Sequence, residues 1–154
     1  MKAKSGFTLV EILIVVVILG ILAAIVIPQF TDASTEAKES ALVSNLQTMR
    51  GQIELYKAQH NGVVPGDTTI SGDATVEEAL TGRTNVAGVK QTAPGANIYG
   101  PYMQKIPENP FNEGRGINAA TADSPQGWTL DIVPTSLTYG AFAAADGDPN
   151  HESL

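Results

Sequence analysis

The chain predicts an α+β fold, with one long N-terminal helix packed against a small C-terminal antiparallel sheet. Three observations predict it. Residues 7–27 form an almost unbroken apolar run. Beyond Pro28 an apolar stripe continues at spacings of four and three, through Leu42, Leu46, Met49, Ile53, Tyr56 and His60, which is one face of a helix. Near the C-terminus, Trp128, Leu130 and Ile132 alternate with Thr129 and Asp131, and Leu137, Tyr139 and Ala141 alternate in the same way. A period of two is the strand signature.

Taken in order, residues 1–6 form a basic leader, Met1-Lys2-Ala3-Lys4-Ser5-Gly6. The run from Phe7 to Ile27 carries one charge, Glu11, and otherwise only Thr8 and Gly20 as non-apolar side chains. As a helix it measures roughly 30 Å, the thickness of a bilayer core. Lys2 and Lys4 precede it, and no cation follows until Lys38. The positive-inside rule then places the N-terminus in the cytoplasm and the bulk of the chain outside. A secretory signal peptide would end in small residues at a cleavage site. Here Pro28-Gln29-Phe30 follows instead, and the second helical pattern runs on over 28–61.

Glu11 discriminates between readings of this segment. A carboxylate within a spanning helix is costly and usually functional. Near the helix end it is also able to snorkel to the interface as a tolerated acid. The sharper expectation is a cation supplied by a neighbouring chain, because a buried ion pair fixes register more reliably than it adds stability. If the leader is removed, the free amine of Phe7 is the natural partner.

The stretch from Gly6-Phe7-Thr8-Leu9-Val10-Glu11 through Ile27-Pro28 strongly resembles the type IV pilin and type II secretion pseudopilin superfamily. The resemblance covers about the first 60 residues and is nearest in kind to major pseudopilins. It implies that prepilin peptidase cuts between Gly6 and Phe7 and that the Phe7 amine is N-methylated. It further implies that Glu11 recruits the next subunit, and that a membrane platform and a cytoplasmic ATPase drive assembly. Pro28 lacks an N–H and crowds the turn before it, so a kink or local melting is expected there, with Gly20 as a second weak point. The resemblance implies that such melting accompanies filament assembly.

The remaining residues, 62–154, are expected to form one extracytoplasmic domain. Asn61-Gly62 reads as a helix stop and Pro65-Gly66 as a turn. Thr75-Val76-Glu77-Glu78 has the spacing of a capping box and opens a short helix. Residues 100–111 read as a proline-punctuated loop with apolar anchors, loosely similar to a loop of major pseudopilins. Pro134-Thr135-Ser136 supplies the turn of an expected hairpin. Arg50–Glu54 and Glu54–Lys57 are helix-spaced charge pairs, worth a few tenths of a kcal/mol each.

Composition narrows the function. Acids outnumber bases 16 to 9, a formal charge of −7 that becomes −9 without Lys2 and Lys4. Nucleic-acid binding needs basic patches and is excluded as an expectation. With no cysteine, disulfides and thiol chemistry are excluded. The tail residues Asp146, Asp148 and Asn150 offer oxygen ligands that suit calcium, against the plainer reading of a solvated, frayed terminus. His60 is read as lining the helix end and His151 as facing solvent. No metalloprotease, phosphate-loop or nucleophile-elbow signature is present, so no enzyme is expected. The reading is a filament subunit of a pilus or a secretion pseudopilus, held in the inner membrane before assembly. The rival is a monomeric membrane-anchored binding module, which predicts no polymer and no dependence on Glu11.

Overall fold

The computed structural model describes residues 6–67, 75–93, 95–119, 127–132, 140–145, 148 and 151. They fall into two compact units, divided after Lys38. Helix α1 (Leu9–Gln59) contributes to both and continues through Gly20 and Pro28 without interruption.

In the first unit no described side chain is buried. Apolar side chains from Phe7 to Phe30 lie open along α1, with Phe7 84% exposed. The segment is long and apolar enough to cross a membrane, and none of it is buried within the chain. The Pro28 ring removes one helical donor. One turn on, the Thr31 hydroxyl donates to the Ile27 carbonyl at 3.1 Å, and Thr35 repeats the bond to Thr31. Such back-bonding often bends a helix.

The second unit has a core because α1 becomes amphipathic there. Leu42, Leu46, Met49, Ile53 and Tyr56 are all buried. The first four join one cluster with Val64, Leu80, Ile106, Trp128, Leu130 and Phe142. Burying each such apolar side chain is worth about 1.5–3 kcal/mol. The expected stop at Asn61-Gly62 is present: Asn61 has φ 55 and Gly62 φ 87, and the Gly62 N–H donates to the Lys57 carbonyl at 2.8 Å.

Helix α2 (Val76–Thr81) starts at Thr75, whose side chain and Glu78 form the expected capping box. Strands β1 (Thr84–Asn85) and β2 (Ile98–Tyr99) pair antiparallel. Strands β3 (Ile117–Ala119), β4 (Gly127–Leu130) and β5 (Phe142–Ala145) form a second sheet in that order. The α+β layout holds, with two differences from the expected hairpin. The partner of β4 is Phe142–Ala145, with Leu130 opposite Phe142 and Trp128 opposite Ala144. Leu137, Tyr139 and the turn at 134–136 lie outside the described residues. Phe142 and Ala144 face the core, the opposite parity to the Leu137–Ala141 pattern, because the Phe142 ring packs on Trp128 at 5.5 Å. The second difference is β3, which adds a parallel ladder to β4.

The loop after Tyr102 is fastened rather than free. Asn109 is fully buried; its Nδ2 donates to the Gly127 carbonyl at 2.8 Å, and its Oδ1 accepts from the Phe111 N–H. Trp128 donates its indole N–H to the Pro107 carbonyl at 2.9 Å. At Gly127, φ is 92 and an added Cβ would collide with the Gly114 backbone, so this crossing requires glycine.

Candidate functional site

The head of α1 is organised by a local motif. Thr8 precedes the first helical residue, Leu9. Its backbone N–H donates to Glu11 Oε2 at 2.7 Å, and its hydroxyl donates to the same oxygen at 2.8 Å. The Glu11 N–H in turn donates to Thr8 Oγ1 at 3.2 Å. This is a reciprocal capping box, which satisfies helix-end donors that otherwise lack partners. The T-x-x-E spacing was available in the sequence as a helix-start signal, alongside the processing reading of the same residues.

The box shapes what Glu11 is able to do. Oε2 is occupied within the chain, whereas Oε1 has no partner among the described residues. The carboxylate is therefore oriented, exposed, and open on one side to a donor from another molecule. Phe7 and Gly6 lie just outside the helix and are exposed. Nothing stands within 4 Å of a Cβ added at Gly6, and the same holds at Gly20. The fold itself thus imposes no glycine at either position.

Residues 1–27 match the model of the prokaryotic N-terminal methylation motif. The type II secretion system core protein G of Vibrio cholerae is 33% identical over 113 residues, covering 72% of this chain and 68% of that protein.

The chain belongs to the type IV pilin and type II secretion pseudopilin superfamily.

The corresponding core protein G of Klebsiella pneumoniae is 30% identical over 113 residues, 72% of this chain and 71% of that protein. A fimbrial protein of Pseudomonas aeruginosa is 46% identical over 54 residues, 35% of each chain. No solved structure gives a significant match. As a member of this superfamily, the chain is a structural subunit of a pilus-like or pseudopilus filament. Its relatives imply assembly with other pilin subunits and processing by prepilin peptidase. The apolar helix and the pseudopilin relatives together indicate inner-membrane anchoring.

The other sequence-predicted residues fare differently. Asp146 and Asn150, two of the three tail ligands, lie outside the described residues. Asp148 is described, with its side chain 45% exposed and its carbonyl accepting the His151 N–H. Among the described residues no group of three His, Asp or Glu side chains is placed to hold a metal. His151 does not face solvent: it is buried, with its ring 4.5 Å from that of Phe111. His60 does line the end of α1, fully buried. Lys57 pairs with Glu54 at 2.7 Å. Arg50 directs Nε and Nη2 to the Phe142 carbonyl at 3.2 and 2.9 Å, a tie between α1 and β5 that helix spacing alone does not reveal.

Proposed function

We propose that the chain is a type II secretion pseudopilin, made as a precursor and polymerised through its N-terminal helix. The observation that carries this reading is the similarity to core protein G, which extends over 113 residues and so reaches well beyond the helix. Residues 1–6 are the leader, 7–27 the membrane and filament-core segment, 28–61 its amphipathic continuation and 62–154 the extracytoplasmic domain. Prepilin peptidase cuts between Gly6 and Phe7 on the cytoplasmic side, and the new Phe7 amine is methylated. A glycine that the fold does not itself require at Gly6 supports recognition from outside the chain. Glu11 accepts the Phe7 amine of a neighbouring subunit through Oε1, while Oε2 keeps the helix capped.

Gly20 and Pro28 are the points at which α1 yields during assembly. The assembly platform and its ATPase drive extraction from the inner membrane, and the domain coats a periplasmic filament. The role is structural, with no catalysis. A calcium ion at Asp146, Asp148 and Asn150 belongs to the same reading. It predicts a rise in Tm on adding calcium that is reversed by chelation and abolished by Asp148→Ala.

A surface pilus is the second reading, favoured by the 46% identity to a fimbrial protein over 54 residues. Intact-mass analysis of native membranes and of sheared surface material separates the possibilities. A mass starting at Phe7 plus one methyl establishes a processed subunit. Loss of exoprotein release on deletion, with little sheared polymer, supports the pseudopilus; abundant sheared fibre with normal release supports the pilus. An uncut Met1 form in cells with active prepilin peptidase, indifferent to Glu11→Ala, returns the anchored binding module.

A further inference from the structure

His60 sits where α1 meets the β1–β2 ribbon, and it is fully buried. Its Nδ1 lies 2.8 Å from the Tyr56 carbonyl. A carbonyl only accepts, so Nδ1 carries the proton of the neutral ring. Nε2 is then a bare acceptor, and the Thr84 hydroxyl 2.9 Å away donates to it. This bond joins the residue that follows α1 directly to β1. The ring also stacks on Tyr56 at 3.7 Å, with 3° between the planes, and meets the edge of Tyr99 at 5.4 Å. Tyr102 completes the surround, its hydroxyl donating to Gln59 Oε1 at 2.6 Å.

The groups facing the ring are thus Tyr56 from the last turns of α1, Thr84 and the Asn85 backbone from β1, Tyr99 from β2, and Tyr102 from the following turn, itself bonded to Gln59. None of these is charged at neutral pH. Charged side chains close to these groups along the chain include Lys57, paired with Glu54, and Arg83, just before β1; Lys90, whose backbone bridges to Thr84, pairs with Glu78. Among the described residues none of the groups that contact the imidazole is a carboxylate, and the charged residue next to Thr84 in the chain, Arg83, is a cation.

We propose that His60 is an acid-sensitive latch, holding the β1–β2 ribbon and the Tyr102 turn to the end of α1 while neutral and loosening them when protonated. A proton on Nε2 confronts the Thr84 hydroxyl with a donor in place of an acceptor. The hydroxyl must turn round, and a cation is left in a buried aromatic surround in which none of the described contacts is a counter-ion. Burial accordingly holds His60 below the usual histidine range, while the Tyr56 and Asn85 carbonyls oppose that shift. The sign follows from linkage. The opened state takes up the proton more readily, so the latch is fully stabilising above about pH 6.5 and weakens as pH falls below it. A domain outside the cytoplasm would meet such acidification directly.

The test uses the full-length protein in detergent micelles. His60 and His151 are its only histidines, so their ring signals are resolvable by NMR across a pH series, with amide-exchange protection followed in parallel over residues 83–103. The expected result is a His60 midpoint below 6.5 and a several-fold loss of protection in that segment between pH 7.5 and 5.0. His60→Gln, which is neutral throughout, is expected to remove that pH dependence. A His60 midpoint at or above 6.5, or protection that falls equally in His60→Gln, overturns the proposal. Should His60→Gln fail to fold, Thr84→Val keeps the ring and deletes its donor. The latch then predicts a raised His60 midpoint, and an unchanged one overturns it.

Discussion

At the scale of single residues, Glu11 serves two roles that chemistry allows to be separated. As the N3 residue of a capping box it accepts from the Thr8 N–H and hydroxyl through one oxygen. As an assembly residue it is proposed to meet an amine through the other. Glutamine substitutes for glutamate in a capping box but carries no charge for an ammonium group. Glu11→Gln is therefore expected to preserve α-helix content in micelles while reducing filament yield nearly as far as Glu11→Ala. Circular dichroism and shearing or cross-linking assays read the two properties independently. Normal filament yield in Glu11→Gln would show that capping, and not the ion pair, is what assembly needs.

Glu78 holds a comparable position in the domain. Its Oε1 accepts from Lys90 at 2.6 Å and its Oε2 from the Thr75 N–H at 3.2 Å. The Lys90 hydrogen bond, followed by the Thr75 backbone donor, holds its carboxyl below the ordinary value of 4.5. A lowered folded value means the unfolded state binds the proton more readily. The stabilisation is present above about pH 4.5 and is lost as pH falls through the folded value. The Tm gap between wild type and Glu78→Gln is expected to be widest near pH 7 and to close in acid. A gap that persists unchanged at pH 3 would show that the carboxylate charge contributes nothing. Both Thr8 and Thr75 begin a T-x-x-E pattern. The second was legible because turn-rich residues surround it. The first lies at the edge of an apolar run, where the processing motif dominates the reading.

At the scale of elements, legibility follows how much of an element's stability is local. The helical stripe from Leu42 to Tyr56 is repetitive, and the core uses it as read. Strand β5 is Phe142-Ala143-Ala144-Ala145, and alanine has little strand preference of its own. Its place is set by Phe142 on Trp128 and by Arg50 reaching its carbonyl, contacts separated widely in sequence. The three-residue β3 pairs parallel to β4, and no local turn signals such a partner. The loop over 106–113 is similarly set by distant contacts, chiefly those of Asn109. Asn109→Ala leaves the Gly127 carbonyl and the Phe111 N–H without their side-chain partner. A loss of about 1–3 kcal/mol is expected, read as a lower urea midpoint at unchanged m-value. A cost near zero would show that the loop is held by Ile106 and the Trp128–Pro107 bond alone.

At the scale of the whole molecule, the two units make opposite demands on their surroundings. A monomeric soluble protein rarely exposes a continuous apolar patch beyond a few hundred Å², yet the first unit leaves every large apolar side chain from Phe7 to Phe30 open. A bilayer or the helices of other subunits must cover them. The second unit contains its own core, since Leu42, Leu46, Met49, Ile53, Trp128, Leu130 and Phe142 bury against one another. The division after Lys38 thus separates the part whose apolar side chains lie open from the part that contains the core. A chain beginning at Asp32 should remain soluble and monomeric without detergent. Its amide spectrum over the core strands and its urea midpoint should match those of the full-length protein in micelles, because no core residue is removed. It should also fail to polymerise, even in cells that assemble the intact chain. If the shortened chain instead aggregates or loses its urea transition, the apolar half of α1 contributes to folding of the domain as well as to anchoring and assembly.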